Sequence, residues 1–253
     1  MLIGCDRKPT CASPIARLSA CAGSRSHGDP FNSLSMPYTL IIFDLDGTLA
    51  DSFPWFRLHV NAVAARYGFR QVKDEDVERL RHASTREILD FLAVPSWKLP
   101  FIARHMRRLK TAHAASIPLF AGVGPMLDTL AAHGHQLALV SSDTEANARE
   151  KLGPLAALFA DFDCSASVFG KARKFRRVLK RARLAPHDAI AIGDETRDIE
   201  AARAAGIACG AVTWGYAAEK ALRDRQPDYV FERMEEIVER LTSLPAGQDA
   251  APV

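Results

Sequence analysis

From Tyr38 onward the chain alternates short, continuously apolar runs with longer segments of helical spacing, and few architectures accommodate that pattern. The run YTLIIF ends at Asp44, QLALV at Ser141, AIAI at Gly193 and Asp194, and IACGAV at Thr213. Runs this short and apolar are expected to be strands buried on both faces. Between them GPMLDTLAAHG, KARKFRRVLKRARL and RDIEAARAAG place apolar residues at helical spacing, two of them closing on a glycine. The alternation predicts an α/β fold with a doubly wound, Rossmann-like parallel sheet, in which ligands gather at the carboxyl ends of the strands.

Ser52 to Ser116 interrupts the alternation. FRLHVNAVAARYGF, DVERLRHASTREILDFL and LPFIARHMRRLKTAHAA are helical in spacing, with no convincing strand among them. The division expected is therefore an α/β core over 37–51 and 117–245, an all-helical insertion over 52–116, a disordered extension over 1–36 and a disordered tail over 246–253. The first 35 residues are rich in Ser, Ala, Pro and Gly, and are read as an upstream extension dispensable for folding, with Met36 as the working start.

Charge sharpens the division. The insertion carries 12 Lys and Arg against 6 Asp and Glu, and residues 1–35 carry 4 against 2, which leaves −5 for the core of a chain whose net charge is +3. A basic insertion facing an acidic core suggests an anionic substrate with a cation between them; a solvated helical surface explains the same numbers. Nothing resembles the lysine-rich arm of a nucleic-acid binder. No run approaches the ~18–20 apolar residues of a membrane helix. Five cysteines without a CxxC pair argue against zinc and against a disulfide framework, and fit a cytoplasmic setting.

The segment FDLDGTLADS, Phe43 to Ser52, places Asp44 and Asp46 two apart at a strand end, with both carboxylates on one side if the extended geometry persists. LALVSSD ends the next strand at Ser141, FGKARKF sets Lys171 at a helix start, and IGDETRD spaces Asp194 and Asp198 in a GDxxxD pattern. These four segments, in this order, resemble the four motifs of the haloacid dehalogenase-like superfamily of phosphohydrolases. The resemblance spans Pro37 to about Leu244. The insertion falls where that family carries a helical cap. Its length, with DSF, FAGV and AVTWGY, is similar to the phosphoglycolate phosphatase-like group, although GKARK replaces a Lys-Pro pair.

The resemblance implies an Mg²⁺-dependent phosphatase acting on a small phosphorylated metabolite, phosphoglycolate-like, through an aspartyl-phosphate. Asp44 is then the nucleophile and Asp46 the acid and base. Asp44, Asp194 and Asp46, the last by its main-chain carbonyl, hold the metal. Ser141, Lys171, Thr48 and Ser142 bind the phosphoryl group, and Asp198 positions Lys171 or a metal-bound water. Ser142 rivals Ser141, Lys174 rivals Lys171, and Glu195 is read as a first-turn acid. Arg57, Arg104, Arg107, Arg108 and Lys110 are basic candidates for substrate contact, with Trp55, Phe56 and Trp97 as candidate pocket walls. A phosphomutase of the same fold and a binding protein without turnover are the alternatives; the dehalogenase reading is disfavoured by Asp46. Neither nucleic acid nor membrane is expected as a partner, and the chain is expected to be a monomer or small homo-oligomer.

Overall fold

The computed structural model describes residues 38–164 and 170–243; the expected extension and tail, and Phe169 of the third motif, lie outside these. In chain order the core comprises β1 (Leu40–Phe43), α5 (Val123–Ala132), β2 (Gln136–Ser141), α6 (Glu145–Leu152), β3 (Phe159–Cys164), α7 (Lys171–Ala182), β4 (Ala189–Gly193), α8 (Thr196–Ala205), β5 (Ala208–Val212), α9 (Glu219–Arg223), β6 (Tyr229–Phe231) and α10 (Met234–Thr242). Four helices separate β1 from α5: α1 (Phe53–Tyr67), α2 (Asp74–Arg81), α3 (Thr85–Phe91) and α4 (Leu99–Ala112).

The six strands are parallel, in the order β3-β2-β1-β4-β5-β6. The chain winds outward from β1 through β2 to β3, then returns beside β1 at β4 and winds the other way. Such a reversal opens a crevice beyond the carboxyl ends of the two central strands. Residues alternate between two packed faces. Ile41, Phe43, Leu137, Leu139, Ile190 and Ile192 join the core beneath α5, α6 and α10. Leu40, Ile42, Ala138, Val140, Ala189 and Ala191 join the core beneath α7 and α8. With neither face wet, β1 reads as four buried residues in a row.

Two strands carry weaker sequence signals. In β3, FADFDC interleaves acids, and the buried Asp163 accepts from Arg177 of α7 at 2.6 and 2.8 Å and from Arg181 at 3.2 Å. Arg181 of the same helix pairs with Asp161 at 2.7 Å. The run KARKFRRVLKRAR therefore docks Arg177 and Arg181 on an acidic edge strand. The segment expected as one helix, DVERLRHASTREILDFL, is two, because Ser84 caps α3 by accepting from the Glu87 N–H at 3.3 Å while the Glu87 carboxylate takes the Ser84 N–H at 2.7 Å.

Candidate active site

Three of the four motifs meet at the crevice. Asp44 follows β1, Asp194 follows β4, and Asp198 stands in the first turn of α8; each offers a carboxylate oxygen within 4.8 Å of the other two. All three are buried. Lys171, the first residue of α7, reaches Asp44 Oδ2 at 2.8 Å and Asp198 Oδ1 at 2.5 Å. The second oxygen of Asp44 accepts the Leu45 N–H at 2.8 Å. Burial opposes charge on Lys171, but the Asp198 and Asp44 carboxylates outweigh it and raise its pKa above the ordinary lysine value. Burial and the negative charge of Glu195, Asp198 and Asp44 push Asp194 well above the usual carboxylate range.

The backbone is shaped around these oxygens. Gly47 turns the chain at φ +77°, and a Cβ there would lie 2.1 Å from Asp194 Oδ2; one at Gly193 would lie 2.2 Å from Asp198 Oδ2. Thr48 donates to Asp194 Oδ1 at 2.9 Å and the Tyr216 N–H to Asp194 Oδ2 at 2.8 Å. The charge excess on three buried carboxylates beside one lysine, with no space for a side chain at Gly47 or Gly193, fits a compact divalent cation held by oxygen donors.

Several expectations are revised. The Asp46 carboxylate, expected as the acid and base, points to Lys110 Nζ at 2.5 and 2.7 Å, and the carboxylate beside Asp44 and Asp194 is that of Asp198. Thr48, expected to bind phosphate, is buried and commits its hydroxyl to Asp194. Ser141 is buried at the end of β2, its Oγ accepting the Asp143 N–H at 3.1 Å, which leaves its own proton to donate; Ser142 is exposed beside it. Between the rival lysines the geometry is decisive. Lys174 turns to the Ser141 carbonyl at 2.6 Å, and burial together with the charge of Lys171 lowers its pKa to about 8, whereas Lys171 alone touches Asp44. Glu195 lies beneath Arg197, pairs with its guanidinium, and is half-buried rather than a free first-turn acid.

The cap meets the core through several contacts, among them one from Asn147 of α6 to the Thr111 hydroxyl at 2.8 Å. Lys110, near the end of α4, joins Asp46 to Asp143 Oδ2 at 2.7 Å. Arg81, ending α2, donates to the carbonyls of Tyr216 and Gly215 at 3.1 and 3.3 Å, and its own carbonyl accepts the Ala218 N–H. Tyr216 in turn packs edge-on against Phe53 and Phe56 and shares a hydrogen bond with Ser52 at 3.0 Å. Arg57 pairs with Asp74 at the surface, and Arg104, Arg108 and Trp97 are exposed and turned away from the space under the cap. On α4 the inward face is set by Leu99, Ile102, Ala103, Met106, Arg107 and Lys110, so Arg107 lines the space under the cap while Arg104 and Arg108 face water.

A buried carboxylate thus stands at the switch point of a doubly wound sheet, paired with a lysine and covered by a helical insertion. The profile of the haloacid dehalogenase-like hydrolase family matches residues 41–212, and the chain belongs to that family. It is 31% identical over 206 residues to a phosphoglycolate phosphatase of Synechococcus elongatus, covering 81% of this chain and 97% of the relative. It is 27% identical over 211 residues to a 5'-nucleotidase of Pseudomonas aeruginosa, covering 77% and 91%. A haloacid dehalogenase-like hydrolase of Streptococcus pneumoniae shares the fold at a TM-score of 0.67 and 24% identity, over 81% of this chain and 99% of that one. Relatives named phosphoglycolate phosphatase place the chain with the phosphoric monoester hydrolases of its family. Among the described residues no helix is long and apolar enough to cross a membrane.

Proposed function

We propose that the chain is an Mg²⁺-dependent phosphatase that hydrolyses a small phosphorylated metabolite through an aspartyl-phosphate on Asp44, with phosphoglycolate the substrate its named relatives nominate. The observation that carries this is Asp44 held between the Leu45 N–H and Lys171, beside Asp194 and Asp198. Asp44 and Asp194, with the Asp46 carbonyl, would hold the metal, which when bound offsets the negative charge of the phosphoryl group.

The chain's own groups account for the rest. An Asp44 oxygen attacks phosphorus in line, and the P–O bond to the alcohol breaks. Asp46 gives that alkoxide a proton and later takes one from the water that releases phosphate from Asp44. For this exchange Asp46 has to leave its pairing with Lys110. Lys171 stays beside Asp44 and neutralises charge on the phosphoryl oxygens, and the Ser141 hydroxyl donates to them. Asp198 holds Lys171 in place.

The test is a panel of phosphate esters, phosphoglycolate included, scored by phosphate release with Mg²⁺ and with excess chelator. Release that requires Mg²⁺ is expected. Undiminished turnover in chelator contradicts the reading, and a product that retains its phosphate at another position points to a mutase instead.

Metal binding has a signature apart from turnover. At a hundredfold excess over Kd, Mg²⁺ should stabilise the fold by ~2.7 kcal/mol, a rise in Tm of ~5–10 °C for a chain of this size. Asp194→Asn should abolish the rise. Because Asp194 must lose a proton held by its raised pKa, the rise should shrink as pH falls. A Tm indifferent to Mg²⁺ in the wild-type protein would rule out this site.

A further inference from the structure

The cap is lined by more apolar side chain than it buries. In α2, α3 and α4 no residue is fully buried, whereas core helix α5 alone buries Val123, Met126, Leu127 and Leu130. The apolar residues of the cap are nonetheless on one face each: Val77 and Leu80 of α2, Ile88 and Leu89 of α3, Ile102 and Met106 of α4 are half-buried and turned inward. What they face is a cavity of about 440 Å³. Protein interiors pack densely, so helices that present apolar stripes to each other normally close the gap.

The cavity reaches the edge of the catalytic centre at Asp46. Its floor is made by Asp46, Asp143, Lys110, Glu195 and Arg197, and the Arg197 Nε is buried there without a hydrogen-bond partner among the described residues. The end beside Asp46 is therefore charged, and the walls beyond it are mostly apolar, with Arg57, Asn61, Asp74 and Arg107 among them. A volume of this size is within the usual range for a bound small molecule.

We propose that the cap cavity is a leaving-group pocket for phosphomonoesters of apolar alcohols larger than glycolate, with the phosphoryl group at the floor and the alcohol's carbon skeleton against α2, α3 and α4. This rests on the phosphatase reading above and names the substrate class of that same site. Of the cap's basic residues Arg104 and Arg108 face solvent, while Arg57, paired with Asp74, and Arg107 line the cavity among its apolar residues.

The experiment is a series of ethyl, butyl and hexyl phosphate with phosphoglycolate, compared by kcat/KM on the full chain with Mg²⁺. Each methylene moved from water onto the aliphatic wall should raise kcat/KM about fourfold up to hexyl, and hexyl phosphate should exceed phosphoglycolate. Leu89→Trp, which fills the wall, should lower the hexyl-to-ethyl ratio at least tenfold; the wild-type series decides alone if this variant does not fold. A flat or falling series with normal phosphate release, or an unchanged ratio in a folded Leu89→Trp protein, overturns the pocket and leaves the phosphatase reading standing. Phosphate release from no ester at all overturns both.

Discussion

Asp44→Asn is expected to lower phosphate release by ~10⁴-fold or more, with the melting temperature of the apo protein held or raised. The loss follows from position. Asp44 is the one carboxylate of the cluster that both follows the central strand and contacts Lys171 through an oxygen, and an amide in its place is no nucleophile. Stability should not suffer in the same way, because the substitution is isosteric and removes a negative charge from a site where Asp194 is already driven toward its protonated form by burial and by its acidic neighbours. A large loss of stability together with the loss of turnover would mean that Asp44 is there to hold the strand ends together.

Lys171→Met should be costly on both counts. It leaves Asp44 and Asp198 buried without their cation, and breaking a buried ion pair from one side typically costs ~3–5 kcal/mol. Turnover should fall by at least ~10²-fold, since charge on the phosphoryl oxygens loses its fixed partner. Mg²⁺ should recover part of the stability and none of that turnover. The sign of the pH dependence is set by the raised pKa: the lysine's contribution is fully present below its unfolded value of ~10.5 and is lost only as pH rises through the higher folded-state value. The stability gap between wild type and Lys171→Met should accordingly be constant across neutral pH. Lys174→Met, removing the lysine that faces the Ser141 carbonyl, should cost less turnover than Lys171→Met.

Much of this was legible because it is local. β1, β2, β4 and β5 announce themselves as apolar runs, since both faces of the sheet are covered, and Asp44, Ser141 and Asp194 stand where those runs stop. The strand β3 was obscured by Asp161 and Asp163, whose partners lie on α7, and β6 by its three-residue length. The break between α2 and α3 was written in Ser84 and Glu87 and was outweighed by the helical spacing on either side.

The role of Lys110 was not local at all. It sits 64 residues from Asp46 and 33 from Asp143, in a helix with several other basic residues, and only the folding of α4 over the strand ends separates it from the arginines at 104 and 108. Arg81 is a similar case, since its acceptors are backbone carbonyls of a loop more than 130 residues away. Net charge ranked the basic residues of the cap together; the helix faces separate them. Of the basic candidates Arg57, Arg104, Arg107, Arg108 and Lys110, the helix faces turn Arg104 and Arg108 to water and leave Arg57, Arg107 and Lys110 lining the cavity with Val77, Leu89 and Ile102.

The covalent step is the centre of the mechanism, and it can be observed directly. Asp46→Asn, which removes the group assigned to activate water, should be mixed with an aryl phosphate whose leaving group needs no proton, quenched in acid, and digested for peptide mass spectrometry. The peptide containing Asp44 should carry the mass of one phosphoryl group, sensitive to hydroxylamine, and Asp44→Asn should carry none. Release of phosphate with Asp44 unmodified at every time point, or a phosphoryl group found on Ser141 instead, would contradict the account.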